Sequence, residues 1–168
     1  MLNEETKKSL EAFRRQVIKQ ARQNAQKHSA SGDLAKSLTS RLNVSKNSFS
    51  LEFLMNEYGN YQDKGVSGKN RKYNTPYSYT NKMPPPKAFD KWVIRKGIAP
   101  RDEGGKFLSR KSLTYLIARS IFKKGIKPTL FFTKPFEKEF KKLPEALLLS
   151  YGLDVEEFLE YTLKNTFE

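Results

Sequence analysis

Apolar residues recur every three or four positions from Leu10 through Phe13, Val17, Ala21 and Ala25, with Ile18 widening the stripe. That period marks one face of a helix, so residues 4–28 are predicted as a long amphipathic helix whose other faces carry Arg, Lys, Gln and Asn. The stripe is narrow and ends in alanines, which suits close packing against a sheet or another subunit. Ser29-Ala30-Ser31-Gly32 breaks the helix, and Asp33 is placed to cap a short second one carrying Leu34 and Leu38. The period then changes to two. A strand near 39–44 and a second over 48–55 are expected, the latter alternating Phe49, Leu51, Phe53 and Met55 with Ser50, Glu52 and Leu54 around a Ser45-Lys46-Asn47 turn.

Residues 56–64 fit one or two helical turns that bring Tyr58 and Tyr61 to one side, with Gly65 as the stop. Residues 65–82, rich in Gly, Ser, Asn, Lys and Tyr, read as a long loop, and 98–108 as a second. Both are expected to be protease-sensitive in an isolated subunit and ordered in an assembly. Between them Pro84-Pro85-Pro86 opens a helix to Lys96 with Phe89, Trp92 and Val93 inward. Ser109 caps the next helix, to Lys124, with Leu113, Leu116, Ile117 and Ile121 as its stripe. Thr133 is placed to cap a helix with Phe136, Phe140 and Leu143, and Asp154 a last acidic helix with Val155, Phe158, Leu159 and Leu163. The fold class expected is α+β: a small antiparallel sheet against the long N-terminal helix, an inserted helical region, and C-terminal helices. The organisation expected is a domain over 1–143 with an insertion at about 66–126, then an acidic extension over 144–168.

Composition narrows the chemistry. The chain has 168 residues, with 12 Phe and 8 Tyr to build a core. Cysteine is absent and His28 is the single histidine, which removes disulfides, thiolate zinc sites and multi-histidine catalysis. No apolar run is long enough to span a membrane, and the polar start does not read as a secretory signal. His28 stands at the end of a basic helix, as a solvated or capping group. Glu156, Glu157 and Glu160 read as an acidic helix face, and Asp102-Glu103 as a Gly-loop pair flanked by Arg101 and Lys106. Gly65-Val66-Ser67-Gly68-Lys69-Asn70 has the wrong glycine spacing for a phosphate loop. No enzyme, metal site or cofactor is expected.

Charge carries more information. Residues 1–63 hold 10 Lys/Arg against 7 Asp/Glu, residues 64–127 hold 17 against 3, and residues 128–168 hold 5 against 8, so the net charges are +3, +14 and −3. The excess of the whole chain therefore sits in its middle third, which expects a polyanion or an acidic protein surface. Lys69, Arg71, Lys72, Tyr73, Tyr77 and Tyr79 mix cations with stacking rings, a combination that suits nucleic-acid backbones and also suits a loop ordered against a neighbouring subunit.

Four short motifs in a fixed order add a family reading. They are Ser31-Gly32-Asp33-Leu34-x-x-Ser37 after the first helix and Tyr58-x-x-Tyr61-Gln62-x-x-Gly65 after the hairpin. Pro84-Pro85-x-x-x-Phe89-x-x-Trp92-x-x-x-x-Gly97 follows, and Lys127-Pro128-x-x-Phe131-x-x-x-Pro135-Phe136 leads into a late helix. This order, over about residues 5–140, resembles the neck or tail-completion (head–tail connector) proteins of tailed bacteriophages, and the Pro84–Gly97 helix with the Ile117-Ala118-Arg119-Ser120-Ile121 helix resembles an insertion seen in many members. The loop at 66–82 and the tail at 144–168 lie outside that pattern. Physically, Gly32 permits a sharp turn, Tyr58 and Tyr61 can pack a ring while keeping a hydroxyl wet, and Pro128 and Pro135 stiffen the entry to a helix.

The resemblance implies a structural virion protein, assembled in the host cytoplasm, of which several copies form a ring between the portal side of the capsid and the tail, around the DNA channel. It implies other phage neck, portal or tail proteins as partners, with closed cyclic symmetry and heterologous contacts. It also implies structural roles for Gly32, Leu34, Tyr58, Tyr61, Gly65, Pro128, Phe131 and Pro135. The alternative is a basic nucleic-acid-binding module of a cellular or phage protein. The candidate contact residues are Lys69, Arg71, Lys72, Tyr73, Arg101, Lys106, Arg110 and Lys111. Either they touch packaged DNA loosely through phosphates, or they pair with carboxylates of a neighbouring protein. The sequence favours the second, because a conduit must not grip and tyrosines suit protein contacts too.

Overall fold

The computed structural model describes residues 4–28, 31–45, 48–145 and 147. The chain divides into two compact units, Met1–Asp63 with Leu130–Glu168, and Lys64–Thr129 inserted between them. The fold is α+β, with a long N-terminal helix, a small two-stranded antiparallel sheet and later helices. The expected turn residues Lys46 and Asn47, and the last acidic helix with Glu156, Glu157 and Glu160, lie outside the described residues.

In the first unit, α1 (Glu4–His28) buries the side chains that its period selects: Leu10, Phe13, Val17, Ala21 and Ala25. Strands β1 (Thr39–Val44) and β2 (Phe49–Leu54) pair antiparallel, with Leu42 opposite Leu51 and Ser40 opposite Phe53. Leu51 and Phe53 point into the core, as the alternation requires. The outer edge of β1 meets arginines of α1 in place of a third strand. The Arg22 guanidinium donates to the Leu38 carbonyl at 3.1 and 2.6 Å, and Arg14 Nη1 donates to the Ser40 carbonyl at 3.3 Å. The core closes on phenylalanines, among them Phe13, Phe53, Phe132 and Phe136. Phe136 lies 5.4 Å from Phe13 and 5.9 Å from Phe53 in edge-on pairs, and Phe53 stands edge-on to Phe132 at 5.2 Å.

Two helix starts differ from expectation. The short α2 (Asp33–Ser37) is entered through Gly32, whose φ of 72° is left-handed, and Asp33 is its first residue rather than its cap. No side chain caps this helix, although the Ser31 hydroxyl oxygen accepts the Asp33 N–H at 3.3 Å. The helix α6 (Thr133–Phe140) likewise starts after Phe132, with Thr133 already inside it. Its cap comes from the far side of the insertion. Asp63, at the end of the described α3 (Tyr58–Lys64), accepts the N–H groups of Phe132 at 2.8 Å and Thr133 at 3.2 Å. The Thr133 hydroxyl donates to the same carboxylate.

One buried carboxylate joins α6 to α1. Glu139 accepts from Gln20 Nε2 at 2.7 Å and from Lys142 Nζ at 2.8 and 2.9 Å. Burial alone would raise its pKa, but the bonds from Lys142 and Gln20 outweigh that and hold it below the ordinary glutamate value. A depressed folded pKa means stability that is present above the unfolded value and lost as pH falls through the folded one. Glu139→Gln should therefore flatten the acid limb of a pH–stability curve, below about pH 4.5, relative to wild type. Parallel acid limbs in urea melts of the two proteins would contradict this.

In the second unit, β3 (Val66–Ser67) pairs with β4 (Gly125–Ile126), a second sheet that residues this short do not announce in sequence. The expected Pro86–Lys96 helix is a 3-10 turn over Pro86–Phe89 followed by α4 (Asp90–Arg95). Val93 is buried, but Trp92 is rotated outward and is 40% exposed, contrary to the inward place expected for it. Ser109 caps α5 (Arg110–Lys124) as expected, its hydroxyl oxygen accepting the Ser112 N–H at 3.1 Å. Leu116, expected in the α5 stripe, is exposed. The buried face consists of Leu113, Thr114 and Ala118, and the Thr114 hydroxyl is satisfied on the Arg110 carbonyl at 3.0 Å. The loops at 65–82 and 98–108 carry backbone frames of their own. Ser67 N–H donates to the Tyr77 carbonyl and Tyr79 N–H to the Ser67 carbonyl, both at 2.8 Å. Asp102 N–H donates to the Lys106 carbonyl at 2.8 Å and Leu108 N–H to the Pro100 carbonyl at 3.0 Å.

Candidate functional site

The inserted unit contains the whole basic block, 17 Lys/Arg against Asp90, Asp102 and Glu103. Its organising element is α5, a rod of about 22 Å at 1.5 Å per residue. The helix itself carries five cations and no acid.

The candidate contact residues fall at its two ends. At the C-terminal end, Lys69 N–H donates to the Phe122 carbonyl and Asn70 N–H to the Lys123 carbonyl, both at 2.9 Å. These bonds lay the 68–73 turn on the last turn of α5, so Lys69, Arg71 and Lys72 join Lys123 and Lys124. The ring contacts tighten this group. Lys69 Nζ stands 5.9 Å from the Phe122 ring centre, and the Arg71 guanidinium 5.2 Å from that of Tyr73. Tyr73 is fixed through its backbone, donating N–H to Ser67 Oγ at 2.9 Å. Tyr79 packs edge-on to Phe122 at 6.3 Å, and burial pushes its phenol pKa up.

At the N-terminal end stand Arg110 and Lys111, both exposed, preceded by a tight loop over 100–108. In that loop Arg101 lies 3.8 Å above the Phe107 ring and donates to the Gly105 carbonyl at 2.7 Å. The charge pairing expected of Asp102 is replaced by a backbone bond, since its carboxylate accepts the Lys106 N–H at 2.9 Å. The Lys106 side chain is exposed. Sequence separation hides the remaining members of the surface. Tyr115, Arg119 and Lys123 follow Lys111 at intervals of four and share an exposed face. The signal that would find them is an i, i+4 register of cations on a helix without acids.

The motif residues stand elsewhere, at joints of the chain. Leu34 and Phe131 are buried in the core of the first unit, and Pro135 is buried in the first turn of α6. Gly65 follows α3, where a side chain would meet Pro128 at 2.7 Å. Tyr58 and Tyr61 are 44% and 46% exposed, so they present ring surface as well as hydroxyl to the outside. Among the described residues no group of three or more His, Cys, Asp or Glu could hold a metal ion, and no helix is long and apolar enough to cross a membrane. No protein-family model, curated protein or solved structure matches the chain.

Proposed function

We propose that this chain is a structural subunit of a phage head–tail connector, in which several copies close into a neck ring joining the portal side of the capsid to the tail. The observation that carries the reading is where the motif residues stand. Gly32 makes the left-handed step between α1 and α2, and the Tyr58–Gly65 step forms α3 and its exit. The Pro128–Pro135 step leads into α6. The motifs thus mark turns along the chain, Gly32 and Tyr58 in the first unit and Gly65, Pro128 and the Pro84–Gly97 segment in the inserted one, and a shared order of such turns is what a resemblance of architecture requires.

A ring also needs two different surfaces on each subunit. The sequence supplies opposite charges for them, +14 over residues 64–127 and −3 over residues 128–168. The subunit's work in this reading is to hold neighbouring proteins in register, and no reaction is assigned to it. The purified protein, or the complex isolated from infected or co-expressing cells, should have the mass of a closed ring of several copies. Monomer mass in both preparations would overturn the proposal. A monomer that binds duplex DNA tightly on its own would favour the nucleic-acid-module reading instead.

A further inference from the structure

We infer that the exposed face of α5, with the 69–72 turn at its end, is a binding surface for the sugar–phosphate backbone of nucleic acid, without base readout. Lys111, Tyr115, Arg119 and Lys123 stand one turn apart on this face, and the backbone bonds from Lys69 and Asn70 dock further cations beside Lys123. Tyr115 is 48% exposed and breaks the row of charges with a ring that can lie on a sugar or a base.

Helix stability does not account for this row. Lys123 and Lys124 suit the negative end of the helix dipole, but Arg110 and Lys111 occupy the positive end, where cations are disfavoured. An acidic residue in that first turn would stabilise the helix, and none is present. The cations there therefore serve something outside the helix.

Charge balance selects the occupant. The acidic segment 154–168 of a neighbouring copy offers five carboxylates against Lys164, a net of −4, fewer than the six cations of the row and its turn, Lys69, Arg71, Lys72, Lys111, Arg119 and Lys123. A nucleic-acid backbone carries one charge per about 3.4 Å of each strand, so the roughly 22 Å of α5 spans about six phosphates of one strand. That supply matches the row in length and sign. Among the described residues Lys111, Arg119 and Lys123 have no carboxylate ion-pair partner, and such long side chains bind by charge and not by sequence. The inference rests on the connector reading only for where the DNA would be met. The surface itself is argued from α5, and the experiment uses the full-length chain, so either can fail alone.

The experiment is fluorescence anisotropy of the full-length protein with a labelled duplex of arbitrary sequence of about 30 base pairs, titrated from about 50 mM to 300 mM NaCl. The expected result is binding that weakens steeply with salt and is equal for two unrelated sequences. Neutralising the row in K111Q/R119Q/K123Q should weaken binding at least about tenfold at the lowest salt. The same variant should reduce the salt slope by about 2.7, which is about 0.9 for each phosphate no longer neutralised. The variant K134Q/K138Q/K141Q removes the same charge from exposed positions in the first unit and should stay within about threefold of wild type.

Lysine acetylation of the wild-type protein gives a readout that needs no variant, with DNA protecting Lys111 and Lys123 but not Lys134 or Lys138. Absence of binding at the lowest salt would overturn the inference. So would equal loss in the two triple variants or protection spread evenly over all lysines, and a ring of normal mass would leave the connector proposal standing.

Discussion

Asp63→Ala should destabilise the protein by about 3 kcal/mol and lower the melting temperature by about 6–12 °C, the largest effect expected from any single polar side chain here. Asp63 is 1% exposed. Its carboxylate accepts two backbone N–H groups, from Phe132 and Thr133, together with the Thr133 hydroxyl. Its backbone carbonyl accepts the Leu130 N–H at 3.0 Å, at a residue held in the left-handed region with φ 51°. One residue thus fixes the point where the chain returns from the insertion and starts α6. Alanine keeps the backbone bond and removes the side-chain cap. A lost helix cap costs about 0.5–2 kcal/mol, and stranded buried donors add about 1–3 kcal/mol. Phe131 and Phe132 flank the site and belong to the core, so loosening of this turn reaches the phenylalanine cluster. Asp63→Asn keeps one oxygen acceptor and should recover part of the loss. Urea melts decide the matter, and a loss under about 1 kcal/mol for the alanine variant would show that the cap is not what holds α6.

Asp63 also shows where sequence reading stops. The hydrophobic period places α1 and β2 because each is an element whose buried face is a simple function of position, and Leu10, Phe13, Val17, Leu51 and Phe53 are buried accordingly. The cap of α6 escapes such reading because Thr133 has the right chemistry at the right place, while the better acceptor lies 69 and 70 positions away in sequence. Local rules see only local candidates. Leu116 and Trp92 depart from their expected places for a related reason. Each lies within two positions of a residue that is buried, Val93 for Trp92 and Thr114 and Ala118 for Leu116, so a small rotation of a short face separates the expected residue from the buried one.

The candidate site is legible in composition but not in arrangement. The run of charge in the middle third singles out Lys69, Arg71, Lys72, Arg110 and Lys111, yet nothing local says that the first three meet the end of the helix that the last two begin. That meeting depends on the Lys69 and Asn70 bonds to the carbonyls of residues 122 and 123. It is a tertiary fact, made possible by Gly125 and Gly68, which in sequence look like no more than a helix stop and a loop residue.

Those glycines make the second large effect. Gly125→Ala should break the β3–β4 pairing and release the 66–73 segment from α5, at a cost of about 4 kcal/mol or more. Gly125 has φ 74° and ψ −169°, a combination that only glycine adopts freely. A Cβ there would stand 2.1 Å from the Val66 carbonyl oxygen and 2.5 Å from the Gly68 nitrogen. Gly68 is pressed from the other side, where a Cβ would lie 2.3 Å from both the Gly125 nitrogen and the Lys123 carbonyl oxygen. These are backbone atoms, so no rotamer change relieves the clash, and the strands must part. Gly97 is the matched control. Its φ of 61° is also left-handed, but nothing lies within 4 Å of an added Cβ, so Gly97→Ala should cost only the conformational penalty of about 1–2 kcal/mol. Amide exchange should report the difference directly. In Gly125→Ala the N–H groups of Ser67, Lys69 and Asn70 should lose protection, while those of α1 and α6 keep it. DNA binding should fall with them by about threefold to tenfold, although no charge has been removed, because the 69–72 cations would no longer be held beside Lys123. Equal stability losses in the two alanine variants would mean that the close approach of the two backbones is not what holds the inserted unit together.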